Sequence, residues 1–174
     1  MRCFVGLWPS DEVREVLARR PRPEHPGVRW VPPEQWHVTL AFLGQADPDQ
    51  VCQVLSTLDH GPVIATLGTR VGRLGRSVLM VPVGGVDSLA AAVRSRVATV
   101  GSWRETQPFL GHLTLARLRN VAACPWATPL DAPLSWTVDR VAVVVSDLTP
   151  EGPHYTTVAT QMLAYRTSDT GCDQ

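Results

Sequence analysis

Two imidazoles and two hydroxyls stand in matched positions of one repeated cassette, His37-Val38-Thr39-Leu40 and His112-Leu113-Thr114-Leu115. Alternation along a β-strand sends the His and Thr of each cassette to one face and its two apolar residues to the other. An imidazole gives or takes a proton near neutral pH, and a Thr hydroxyl hydrogen-bonds an oxyanion such as phosphate. Two such strands side by side would supply a general acid, a general base and two anion-holding hydroxyls, without a metal or a nucleophilic side chain. That set suits in-line transfer at phosphorus. One His-x-Thr on a half-buried strand is ordinary, because Thr favours strands. Two copies, each followed by Leu in a strong strand pattern, are not, since an unpaired imidazole on an inward face is costly to bury.

The remaining residues narrow the chemistry by exclusion. All sixteen basic residues are Arg and the chain has no Lys, so no P-loop lysine, Schiff base or lysyl-nucleotidyl intermediate can form. Formal net charge is zero, which argues against a broad footprint on nucleic acid but allows a small site that reads one terminus. His25, His60 and His154 lie in loops or at a helix end, with no neighbours spaced as metal ligands, so no metal and no cofactor is expected. Cys3, Cys52, Cys124 and Cys172 have no CxxC spacing, and no leader or membrane-spanning run is visible. Free thiols in a reducing cytoplasm are the expectation.

The cassettes need elements to hold them. Cys3–Leu7 reads as a strand, and Ser10 then caps a helix bearing Val13, Val16 and Leu17 on one face. The proline-rich stretch Pro21–Pro33 reads as a loop before the first cassette strand, Trp36–Leu43. Asp47-Pro48 opens a second helix. Strands follow over Val63–Leu74, irregularly, and over Ser77–Val83, with an Arg-bearing turn between them. Asp87 and Ser88 cap a third helix, Phe109–Leu118 is the second cassette strand, and Val121–Pro133 is a loop. Trp136–Val145 and Tyr155–Ala164 close the series around a turn at Thr149–Pro153. Strands joined by short turns predict antiparallel pairing and an α+β protein, with two similar halves each carrying a cassette. The polar end, 167–174, is expected to be flexible.

The paired cassettes resemble the signature of the two-histidine phosphoesterase superfamily, and more narrowly the RNA 2′,3′-cyclic phosphodiesterases, historically called 2′-5′ RNA ligases. The likeness extends through Arg2-Cys3-Phe4-Val5-Gly6-Leu7, Val28-Arg29-Trp30-Val31-Pro32-Pro33-Glu34, Phe42-Leu43-Gly44, Leu115-Ala116-Arg117 and the run Ser146 to Tyr155. It implies one two-lobed domain over 1–174, with two antiparallel sheets flanked by helices and a pseudo-two-fold relation across a central cleft. It also implies a monomer that opens the 2′,3′-cyclic phosphate at RNA 3′ ends to a 2′-phosphomonoester. Carried onto this chain, His37 is the proton donor and His112 the proton acceptor, while Thr39, Thr114 and Arg117 hold the phosphate.

Three positions fit less simply. Strict alternation puts Arg117 on the face opposite His112 and Thr114, so either the strand twists or bulges there, or Arg117 is a surface residue. Gly111 stands where relatives have Pro and would loosen the approach to His112. Where relatives often pair phenylalanines, only Phe4 is present. Phe4 and Tyr155 can stack on a base or pack in the core, and Trp36 should point away from His37 into packing. Two further readings stand beside the RNA-end hydrolase. One is the same chemistry on small cyclic nucleotides or 2′-5′ linkages; the other is a module that binds a nucleotide or RNA end without turnover.

Overall fold

The computed structural model describes residues 1–102, 106–121, 128–149 and 152–165. The predicted 167–174 tail, Cys124 and Cys172 lie outside them. The chain runs β1 (Arg2–Leu7), α1 (Asp11–Ala18), β2 (Val28–Trp30), β3 (Val38–Gln45), α2 (Pro48–Leu55), β4 (Val63–Leu67), β5 (Gly72–Leu74), β6 (Val78–Gly84), α3 (Asp87–Val97), β7 (His112–Leu118), β8 (Leu134–Val138), β9 (Arg140–Thr149) and β10 (Gly152–Met162).

Local chemistry sets the first two helix starts as the sequence predicts. The Ser10 hydroxyl accepts from the Val13 amide at 3.3 Å, and the Asp47 carboxylate accepts from the Asp49 amide at 3.1 Å with Pro48 in the first turn. The third start differs. Val86 is the cap of α3, Asp87 is already helical, and no side chain caps it. Val13 and Leu17, Val51 and Leu55, and Leu89, Ala90, Val93 and Val97 are the buried stripes of the three helices.

The strand order is β10-β9-β1-β3-β7-β6-β4-β8, with β2 added beside β7 and β5 beside β6. All the pairings are antiparallel, giving the α+β architecture. The strands form one ten-stranded sheet where two were expected, and its halves, β10-β9-β1-β3 and β7-β6-β4-β8, join at the residue pair Val38 and Leu113. Helix α3 lies across β3 and α2 against β9 and β10, while α1, although it follows β1, packs on β8 of the other half.

Three predicted elements are redrawn. The irregular strand expected over Val63–Leu74 is β4, paired with β6 and β8, and the short β5, paired with β6. The stretch expected as one strand over Trp136–Val145 is two, broken at Asp139: β8 pairs with β4 at one end of the order, and β9 pairs with β1 and β10 in the opposite half. A single apolar run thus serves both halves, and the Asp139–Arg140 ion pair, 2.8 Å, sits where it switches. The Pro21–Pro33 loop contains β2, whose three residues pair with Leu118, Arg117 and Ala116 of β7. A strand this short, between prolines, offers too few alternating positions for periodicity to register.

Candidate active site

Val38 and Leu113, the residues that join the halves, are each the second residue of a cassette and are fully buried. In an antiparallel pair centred on them, His37 falls opposite Thr114 and Thr39 opposite His112, on the face away from the core. All four side chains line one cleft of about 450 Å³. Each histidine is held the same way. His37 Nδ1 donates to the Gln35 carbonyl at 2.7 Å, and His112 Nδ1 donates to the Leu110 carbonyl at 2.8 Å, in both cases two residues back. A carbonyl only accepts, so Nδ1 carries the proton in both rings, and Nε2 is the atom left for proton exchange.

The matching goes further. Thr39 pairs with Gly6 and Ala41 with Val5, leaving Leu40 as an extra residue in β3. Thr114 pairs with Met80 and Ala116 with Leu79, leaving Leu115 as an extra residue in β7. The fourth residue of each cassette is therefore a β-bulge, with its side chain in the core. This resolves Arg117. The extra residue at Leu115 resets the alternation, so Arg117 returns to the side of His112 and Thr114 and lines the cleft with them.

The two walls differ in chemistry. Around His37 the wall is aromatic: Phe4 stacks on the imidazole at 4.7 Å, and Tyr155 and Trp8 meet it edge-on at 5.0 and 5.7 Å. Desolvation among these rings lowers the His37 pKa to about 4, and the Arg117 and His112 charges push in the same direction. The other wall is cationic. Arg22, Arg29 and Arg117 line it, and no Asp or Glu lines the cleft among the described residues. In a chain of zero net charge, that segregation makes the cleft electropositive.

Of the two readings of Phe4, its burial agrees with packing. It is only 4% exposed and stacked on His37, so it acts on the imidazole and is not a platform for a base. Tyr155 does line the cleft, touching both His37 and Phe4 edge-on. Trp36 points into packing, as alternation predicts. Gly111 does not loosen the approach to His112. Its carbonyl accepts from the Val83 amide at 2.8 Å, and a Cβ there would collide with the Val83 carbonyl oxygen. The lining residues missed from sequence are Arg22, Arg29, Trp30 and Gln35. Arg22, Arg29 and Trp30 fall in the proline-rich stretch read as a loop, and Gln35 just after it, where no periodicity marked a facing. No group of three His, Cys, Asp or Glu side chains is placed to hold a metal among the described residues.

A family model described as LigT-like phosphoesterase matches residues 6–63, the part containing the first cassette. An RNA 2′,3′-cyclic phosphodiesterase of Thermus thermophilus is 30% identical over 90% of this chain and 87% of its own length. The chain belongs to the LigT-like phosphoesterase family. A second RNA 2′,3′-cyclic phosphodiesterase, from Thermotoga maritima, is 24% identical over 89% of this phosphoesterase and 91% of its own length. Among solved structures, TT0787 of Thermus thermophilus superposes with a TM-score of 0.77 at 29% identity, covering 96% of this chain and 100% of that one. E. coli LigT complexed with 3′-AMP gives 0.74 at 25% identity, covering 93% and 97%. The fold is thus shared along nearly the whole LigT-like chain. No helix among the described residues is long and apolar enough to cross a membrane.

Proposed function

We propose that this phosphoesterase hydrolyses 2′,3′-cyclic phosphate at RNA 3′ ends to the 2′-phosphomonoester, acting as a single two-lobed domain and a monomer in the cytoplasm, with no metal. Its relatives named RNA 2′,3′-cyclic phosphodiesterase support the substrate. The observation that carries the mechanism is the square of His37, Thr114, Thr39 and His112, with both Nε2 atoms left for proton exchange by matched Nδ1–H bonds.

In this reading His112 Nε2 takes a proton from water as the water oxygen attacks phosphorus. The P–O3′ bond breaks, and His37 Nε2 gives its proton to the departing 3′ oxygen. Thr39 and Thr114 hold the non-bridging oxygens and Arg117 offsets their charge as it builds. His37 enters this step protonated only if it gains a proton with the substrate. A bound phosphodiester anion supplies that bias, because a negative charge beside the imidazole opposes the desolvation that empties it in the free cleft. The neutral His37 of the free cleft favours a second reading, in which His37 is the base and His112 the acid.

The test is turnover of an oligoribonucleotide ending in 2′,3′-cyclic phosphate, in EDTA, with the product isomer identified. The expected product is the 2′-phosphate, at a rate unaffected by chelator and lost in His37→Ala and His112→Ala alike. A 3′-phosphate product, or activity abolished by EDTA, would reject the reading.

A further inference from the structure

Beyond the reacting phosphate the cleft continues toward β2, where it is lined by Arg29, Trp30 and Arg22. Arg29 pairs directly across from Arg117, and like charges facing each other on neighbouring strands destabilise a sheet. Arg29 is nevertheless held over the cleft by construction. Gly152, the first residue of β10 in the opposite half, has φ +128°, and a Cβ there would collide with the Arg29 guanidinium. Trp30 is fixed as well: its Nε1 donates to the Pro23 carbonyl at 3.0 Å. Trp30 packs partly buried against the core and borders both the cleft and a small neighbouring cavity. Arg22, tied to the Ala18 carbonyl at 3.2 Å at the end of α1, extends the positive wall.

One phosphate is accounted for by the two threonines and Arg117. Two further guanidiniums beside a fixed indole match a further phosphodiester and its base. We propose that Arg29 and Trp30, with Arg22, form a subsite for the nucleotide preceding the one that bears the cyclic phosphate: Arg29 and Arg22 hold the linking phosphodiester and Trp30 stacks the preceding base. The subsite rests on the reaction proposed above. It makes an RNA end, not a free cyclic nucleotide, the better substrate, because the extra contacts exist only in a chain.

The experiment compares kcat/KM for a trinucleotide ending in 2′,3′-cyclic phosphate with that for the corresponding cyclic mononucleotide. Wild type is expected to prefer the trinucleotide. Arg29→Gln and Trp30→Leu are each expected to cut that preference about tenfold, the size of one lost base stack or phosphate contact. Arg29→Gln also flattens the salt dependence of trinucleotide affinity by about 0.7 in the log–log slope, as for one released counterion on a single strand. Thr114→Ala lowers both substrates alike and serves as the control. A wild type without preference, or variants that keep it, overturns the subsite. If Trp30→Leu does not fold, the exposed Arg29 still decides. If neither cyclic substrate turns over, the reaction fails separately. The subsite is then judged by the Kd of a 2′-phosphate-ended trinucleotide against the 2′-mononucleotide, with a ratio near one in wild type counting against it.

Discussion

His37 sits between three aromatic rings and a cation, and both influences drive its proton off. Removing a ring should reverse part of this. In Phe4→Ala, water reaches the imidazole and its pKa rises from about 4 toward the ordinary 6.5, which an NMR titration of the ring proton would record. An unchanged value would exclude the rings as the cause. The same shift reaches stability. The unfolded chain binds this proton below about pH 6.5 and the folded chain only below about 4, so between those values the unfolded state holds more protons. Stability therefore falls as pH drops through that window, by at most about 3 kcal/mol, and levels off below it. Denaturant unfolding at pH 7 and 4.5 should show a smaller loss in His37→Gln than in wild type; equal losses would contradict the linkage. For the hydroxyls, Thr39→Val or Thr114→Val should cost kcat about a hundredfold with folding intact, as for one lost oxyanion donor. At this scale the sequence was most informative. The His-x-Thr repeat located the four residues that share one cleft, because strand alternation fixes which residues share a face. Alternation misplaced Arg117 for the same reason, since it presumes an unbroken ladder. The sequence left Phe4 between base stacking and packing, because the partner of a ring is a tertiary fact.

A bulge after each Thr requires a neighbour to satisfy the displaced backbone. In β3 that neighbour is Arg94 of α3, whose Nε donates to the Leu40 carbonyl at 3.0 Å while its guanidinium lies over Phe109 at 5.0 Å. Arg94→Met leaves that partly buried carbonyl without this donor and should lower stability by about 1–3 kcal/mol, with kcat falling because Thr39 precedes the bulge. A variant as stable and active as wild type would remove Arg94 from the support of the cassette. On the β7 side, Gly111→Ala should cost at least about 1–3 kcal/mol through forced displacement of the Val83 strand end. The first two helix starts were legible because Ser10 and Asp47 cap through atoms two or three residues away, whereas no side chain caps the third. The switch at Asp139 and the short β2 were not, because an apolar alternation records that a residue is buried and not which half of the molecule buries it.

Across the whole molecule, a repeated half is made asymmetric where the chemistry needs it. Both halves supply a His, a Thr, an Nδ1–H bond to a carbonyl two residues back and a bulge. Yet the position two residues after the bulge is Phe42 in one half and Arg117 in the other. One wall dries the imidazole and the other holds charge. Composition alone gave zero net charge and so concealed the cleft's positive sign, which arises from where the arginines lie. The central claim is that His37 protonates the leaving oxygen and His112 activates water. A 2′,3′-cyclic substrate with sulfur in place of the bridging 3′ oxygen tests it most directly, since a thiolate leaves without a proton. The measurement is the rate of each variant on the sulfur and the oxygen substrate. His37→Ala, crippled on oxygen, should return close to wild-type rate on sulfur, while His112→Ala should stay crippled on both. Rescue of His112→Ala instead, or of neither variant, would contradict the assignment.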